Sequence, residues 1–150
     1  MSYTSCWGDA ARTALLLKFL GQSYGESSVD SPDSSSIHLA DFVDQYLGAD
    51  HRIWWANCQG EADPVGCLWL GYSTDPVGGD RHPYIFLLYV VPEYRRRGVG
   101  TALVTRAESW AKRQGYHKLS LHVFCSSTAG CELYRQMNYQ PRSILMEKTL

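Results

Sequence analysis

Apolar residues recur along the chain with two rhythms, one helical and one strand-like, and their order predicts the elements. From Asp9 to Leu20 the spacing of Ala11, Ala14, Leu15 and Phe19 is helical, with Asp9 able to cap the start and Gly21 following the end. Residues 22–36 are rich in Ser, Gly, Asp and Pro and poor in apolar side chains, which predicts a loop. Helical spacing resumes over Ile37–Leu47, with Leu39, Phe42, Val43 and Tyr46 on one side and Gly48 as a stop.

The next segments read as strands. His51–Gln59 and Pro64–Tyr72 flank Gly60-Glu61-Ala62-Asp63, a hairpin turn. Neighbours on a strand face opposite ways, so Trp54 and Trp55 cannot join one core. The second must be covered by a helix, a partner or a ligand pocket. After a loop over Ser73–Arg81, Tyr84–Val91 is apolar almost throughout, as expected of a central strand covered on both faces. Val99–Gln114 is helical again, with Val99, Leu103, Ala107 and Trp110 aligned and Gly115 as the stop. Lys118–Phe124 alternates like a strand, closed by Cys125, which reads as a buried thiol. Thr128–Met137 is a short helix, and Tyr139–Leu150 a final strand. No internal repeat or long linker divides residues 1–150, so the pattern predicts one α+β domain around a single sheet.

Composition narrows the class. A chain of 150 residues with 45% apolar and 19% charged residues can bury a core without metal or disulfide staples. The net charge of -1 argues against general attraction to nucleic acid or to an anionic membrane. Five cysteines without a Cys-x-x-Cys pair, and histidines 38, 51, 82, 117 and 122 outside zinc-ligand spacing, predict reduced thiols and no metal. The first residues lack a signal-peptide pattern, and no apolar run approaches the roughly 20 residues that cross a bilayer. The expected location is the cytoplasm.

The chemistry concentrates in Val90–Leu103. A buried strand stops at Pro92, passes through Arg95-Arg96-Arg97-Gly98 and enters a helix at Val99-Gly100-Thr101. Such a turn aims unpaired backbone N–H groups and the positive end of a helix dipole at one spot, a site for phosphate. Gly98 and Gly100 let the main chain approach an anion closely, and the arginines add charge. The dinucleotide fingerprint is excluded because its third glycine is missing, and the P-loop because no Gly-Lys-Ser/Thr occurs.

This stretch resembles the signature of the GNAT superfamily of N-acetyltransferases, Arg/Gln-x-x-Gly-x-Gly/Ala, matched by Arg95–Gly100 after Leu88–Tyr94. The likeness continues in Leu121-His122-Val123, in Leu133-Tyr134 and in Asn138-Tyr139; Ser127 stands where the family often has Asn. The resemblance implies a mostly antiparallel sheet flanked by helices, with Tyr3–Trp7 as first strand. The pair Tyr84–Val91 and Lys118–Phe124 would splay around the pantetheine arm. It implies acetyl-coenzyme A as co-substrate, held by Val90, Arg95, Arg96, Arg97, Gly98, Val99, Gly100, Thr101 and Ser127. Direct attack by an amine of a small molecule or peptide would follow, with Tyr134 as the general acid. The family's usual strand carboxylate is absent, its likely positions being filled by Tyr84 and Phe86; the base is His82, read as a surface residue, Asp80 or a water. The family also admits homodimers. Two other readings are a non-catalytic acyl-coenzyme A sensor and, remotely, a nucleic-acid binder built on Arg95–Arg97.

Overall fold

The computed structural model describes residues 1–5, 10–27 and 36–150. Its elements run β1 (Ser2–Ser5), α1 (Ala10–Ser27), α2 (Ser36–Tyr46), β2 (Arg52–Asn57), β3 (Gly66–Thr74), β4 (Arg81–Val90), a 3-10 turn (Pro92–Tyr94), α3 (Val99–Arg113), β5 (Ser120–Leu121) and α4 (Thr128–Gln136). The strands form one sheet in the order β1-β2-β3-β4-β5. Pairing is antiparallel through β4, and β5 joins β4 in parallel. This is the expected α+β architecture.

Both sheet faces are covered, which resolves the tryptophan problem. Trp54 packs toward α3, with its ring 6.3 Å from Trp110, in a core that includes Leu68, Leu70, Leu103 and Ala107. Trp55 packs on the other face against α1, its ring 6.3 Å from Phe19, among Leu16, Leu20, Val43 and Leu87. Each tryptophan is covered by a helix, and there are two cores rather than one.

The strand that matters most is β4. Trp69 faces Leu87 while Leu70 faces Ile85, so Phe86 is an extra residue, a β-bulge. The bulge reverses the alternation: Ile85 lies in the α3 core, whereas Leu87 and Tyr89 lie in the α1 core. Gly71 makes this possible. A Cβ there would come within 2.6 Å of the Phe86 ring and would also collide with His51, so only glycine fits the bulge.

Three expectations change. Residues 22–27 belong to α1, not to a loop, because tertiary contacts outweigh weak helix propensity. Tyr24 meets Phe124 edge to face at 6.0 Å, and Glu26 pairs with Arg95 at 2.8 Å. The strand over Lys118–Phe124 shrinks to Ser120–Leu121, since the ladder with β4 stops where the bulge begins. The last segment forms no strand: β5 offers only two residues to pair with, and Ile144, Leu145 and Met146 stand exposed. Asp9 as a cap, Cys6 and Trp7 of the first strand, and residues 28–35 of the loop lie outside the described residues. Among the described residues no helix is long and apolar enough to cross a membrane.

Candidate active site

The connection from β4 to α3 turns sharply and leaves backbone donors open at the start of a helix. Arg96 takes φ 60° and Gly98 takes φ 79°, so the chain reverses before Val99 enters the helix. The helical bond Ala102 N–H to Gly98 C=O spans 2.9 Å. In α-helix geometry the N–H groups of Val99, Gly100 and Thr101, one position earlier each, have no intrahelical acceptor. Gly98, as N-cap, carries no side chain to satisfy them. These donors, at the positive end of a 15-residue helix, suit a phosphate. Gly100 faces inward: a Cβ would lie 3.5 Å from Leu133 of α4, 3.8 Å from Leu88 and 3.9 Å from Val90. The first turn of α3 therefore meets the end of β4 and the helix that carries Tyr134.

The arginines are not equivalent. Arg95 donates from Nε to the Val90 carbonyl at 2.8 Å and clasps both Glu26 oxygens at 2.8 Å. Its guanidinium is thus engaged by β4 and α1, and the Val90 carbonyl already has a donor. Arg97 lies over the Tyr94 ring at 5.2 Å, and Arg96 is exposed on the turn. Ser127 is the N-cap residue of α4, without a side-chain capping bond.

Beyond Ile85 the two parallel strands part, because β4 and β5 share only the pairs Tyr84–Ser120 and Ile85–Leu121. On one face, two polar contacts bridge the strands at the same diagonal offset. His82 is buried, with Nδ1 3.1 Å from the Asp80 carbonyl and Nε2 2.7 Å from Ser120 Oγ. The carbonyl can only accept, so Nδ1 carries the proton and Nε2 accepts from the serine hydroxyl. Both ring nitrogens are engaged: His82 is a buried clip between strands, not the surface residue its loop position suggests. Asp80 stands exposed beside it, and Cys125 is exposed rather than buried. The second bridge joins Tyr84 Oη and His122 Nδ1 at 2.6 Å.

Tyr134 is buried, on the α3 side of the sheet, with its ring 5.5 Å from Tyr139. Burial chiefly, and the nearby Tyr84, push its phenol well above the ordinary tyrosine range. Burial raises Tyr84 too, with Tyr24 of α1 adding to the effect. Tyr24, Tyr84, His122 and Tyr134 thus gather around the opening between β4 and β5. In the sequence Tyr24 falls in a predicted loop, and His122 stands outside zinc-ligand spacing and within Leu121-His122-Val123, so neither is marked as a site residue. The signal was present in strand alternation, which turns His122 away from Leu121 and toward the Tyr84 side, but the register of β4 against β5 was not.

The profile described as the acetyltransferase (GNAT) family matches residues 16–139. An uncharacterized N-acetyltransferase of Bacillus subtilis, YycN, is 28% identical over 112 residues, 75% of this chain and 70% of that one. Aminoglycoside N(6')-acetyltransferase type 1 of Acinetobacter baumannii is 32% identical over 85 residues, 55% of this chain and 58% of that protein. Among solved structures, a predicted acetyltransferase from Clostridium acetobutylicum with acetyl-CoA superposes with a TM-score of 0.78 at 18% identity, over 99% of this chain and 95% of that one.

Proposed function

We propose that this chain, which belongs to the acetyltransferase (GNAT) family, transfers acetyl from acetyl-coenzyme A to a primary amine of a small molecule, by direct attack while both are bound. The observation that carries the reading is the cradle of unused N–H groups at Val99–Thr101, set against the opening between β4 and β5. In this reading the α3 N-terminus holds the diphosphate of the cofactor, with Gly98 setting the turn and Arg96 and Arg97 supplying positive charge. Arg95 braces the turn through Val90 and Glu26. Ser127, at the start of α4, and main-chain groups of β4 near Val90 line the arm.

Acetyl-coenzyme A supplies an activated thioester, so the chain needs to orient, polarise and move protons. Backbone donors along the free edge of β4 would stabilise charge developing on the carbonyl oxygen. Tyr134 protonates the departing sulfur; its raised phenol keeps the proton available across the neutral range. Holding both reactants in line supplies a large share of the rate. The relative that acts on aminoglycosides supports a small amine as acceptor, and the expected setting is the cytoplasm.

Gly100→Glu tests the placement. A Cβ at Gly100 makes only ordinary contacts, so Gly100→Ala should fold and bind acetyl-coenzyme A, raising the melting temperature as wild type does. Gly100→Glu directs a carboxylate into the same cleft and should lose that shift. Equal cofactor affinity in both variants would refute the cradle. Release of free thiol with an amine panel then separates an enzyme from a binding module.

A further inference from the structure

Resting on the acetyl-transfer reading, we propose that Tyr84 and His122 form the proton exit of the reaction, with Tyr84 relaying the surplus proton of the acceptor's ammonium to the His122 imidazole. The pair stands where the ladder between β4 and β5 stops. Tyr84 is in register with Ser120, and His122 follows two residues later, so the two lie on one face in the diagonal relation that lets long side chains touch. The distance of 2.6 Å between Oη and Nδ1 is that of a strong hydrogen bond along which a proton can pass. Tyr84 is half-buried and His122 exposed, so the pair runs from the opening to bulk water.

Other histidines are less suited. His82 has both ring nitrogens engaged, and His51 is buried with Nδ1 accepting from Trp69 Nε1 at 3.1 Å. On the far side of the sheet, Tyr134 is raised electrostatically by Tyr84. The acid for the leaving sulfur and the exit for the amine's proton thus approach one opening from opposite faces.

The step balances. The ammonium N–H bond breaks as its proton joins Tyr84 Oη, and the Tyr84 O–H proton passes to Nδ1. The phenol ends neutral, which its buried position favours, and the imidazole becomes imidazolium and returns a proton to water. The freed nitrogen lone pair attacks the thioester carbon; as the C–S bond breaks, Tyr134 gives its proton to the sulfur and is restored by the second proton of the attacking nitrogen. Tyr24 of α1 acts on Tyr84, and Tyr84 in turn acts on Tyr134 of α4; both neighbours are phenols that are neutral at neutral pH.

The test compares wild type, His122→Ala, His122→Gln and Tyr84→Phe for stabilisation by acetyl-coenzyme A and for thiol release with the best amine from a panel of aminoglycosides and alkylamines. All four should be stabilised alike. At neutral pH, kcat/KM should fall about 10²-fold in His122→Ala and Tyr84→Phe. The deficit should shrink at alkaline pH, where the amine arrives already deprotonated. Added imidazole should restore part of the rate of His122→Ala. His122→Gln keeps a polar contact to Tyr84 without a titrating group, so a similar loss there at unchanged melting temperature separates proton transfer from architecture. A wild-type pH profile in His122→Ala or His122→Gln overturns the proposal and leaves acetyl transfer standing. A wild-type chain that acetyl-coenzyme A does not stabilise, or that releases no thiol with any amine, overturns the underlying reading and this one with it.

Discussion

Tyr134 shows how one side chain's setting suits it to the role proposed for it. Buried on α4 and raised by that burial, it holds its proton well past the pH at which an exposed phenol would ionise. Tyr134→Phe keeps the packing and removes the proton, so kcat should fall about 10²-fold while acetyl-coenzyme A binding stays within about twofold, measured by thiol release and thermal shift. Loss of cofactor binding in that variant would assign Tyr134 to the arm instead. Two glycines carry backbone rather than chemistry. Gly98 occupies the left-handed region at φ 79°, so Gly98→Ala should cost about 1–2 kcal/mol in a urea titration and weaken acetyl-coenzyme A binding as the turn relaxes. Gly71→Ala forces the Phe86 and His51 rings apart and should destabilise by about 1–3 kcal/mol. These glycines differ in reason: one needs the dihedral, the other the missing Cβ.

Among the elements, α1 and β4 depart furthest from local expectation. The second half of α1, with Gly21, Ser23 and Gly25, has little intrinsic helicity, and Tyr24 and Glu26 hold it through Phe124 and Arg95. The Glu26–Arg95 pair is half exposed, so Glu26→Gln should lower stability by no more than about 1 kcal/mol. Its clearer effect should be local: amide exchange in residues 22–27 should speed up, while the α3 amides keep their protection. Unchanged exchange there would show that contacts other than the ion pair carry the extension. In β4, the apolar run predicted a central strand correctly, yet nothing in that run marked Phe86 as the bulge. The mark lies on the neighbouring strand, at Gly71.

At the scale of the molecule, two cores share one sheet, and phenols are set into its surroundings. Burial is the largest cause raising Tyr24, Tyr84, Tyr89, Tyr134 and Tyr139 above their ordinary range. A group raised on folding contributes stability that is complete below its unfolded value, near pH 10, and is lost as pH rises above it, because only the unfolded chain then ionises freely. The urea midpoint should therefore be flat between about pH 7 and 8, begin to fall near about pH 9 as the buried Cys67 thiol, also raised, comes into play, and fall further above about pH 10. Tyr139→Phe should make that fall shallower; an unchanged slope would show that other groups govern alkaline unfolding. By itself the amino-acid sequence determined the α+β order, the hairpin of β2 and β3, the helix that starts at Val99 and the glycine-bearing turn before it, because each depends on residues adjacent along the chain. Periodicity, Gly98 and the helix start are local facts. Only the tertiary structure decided that Tyr84 meets His122, that Arg95 turns to Glu26, that His82 is buried, and that the last segment finds no strand partner. Those outcomes depend on the register between segments dozens of residues apart, and one extra residue at Phe86 is enough to reset which side chains share a face.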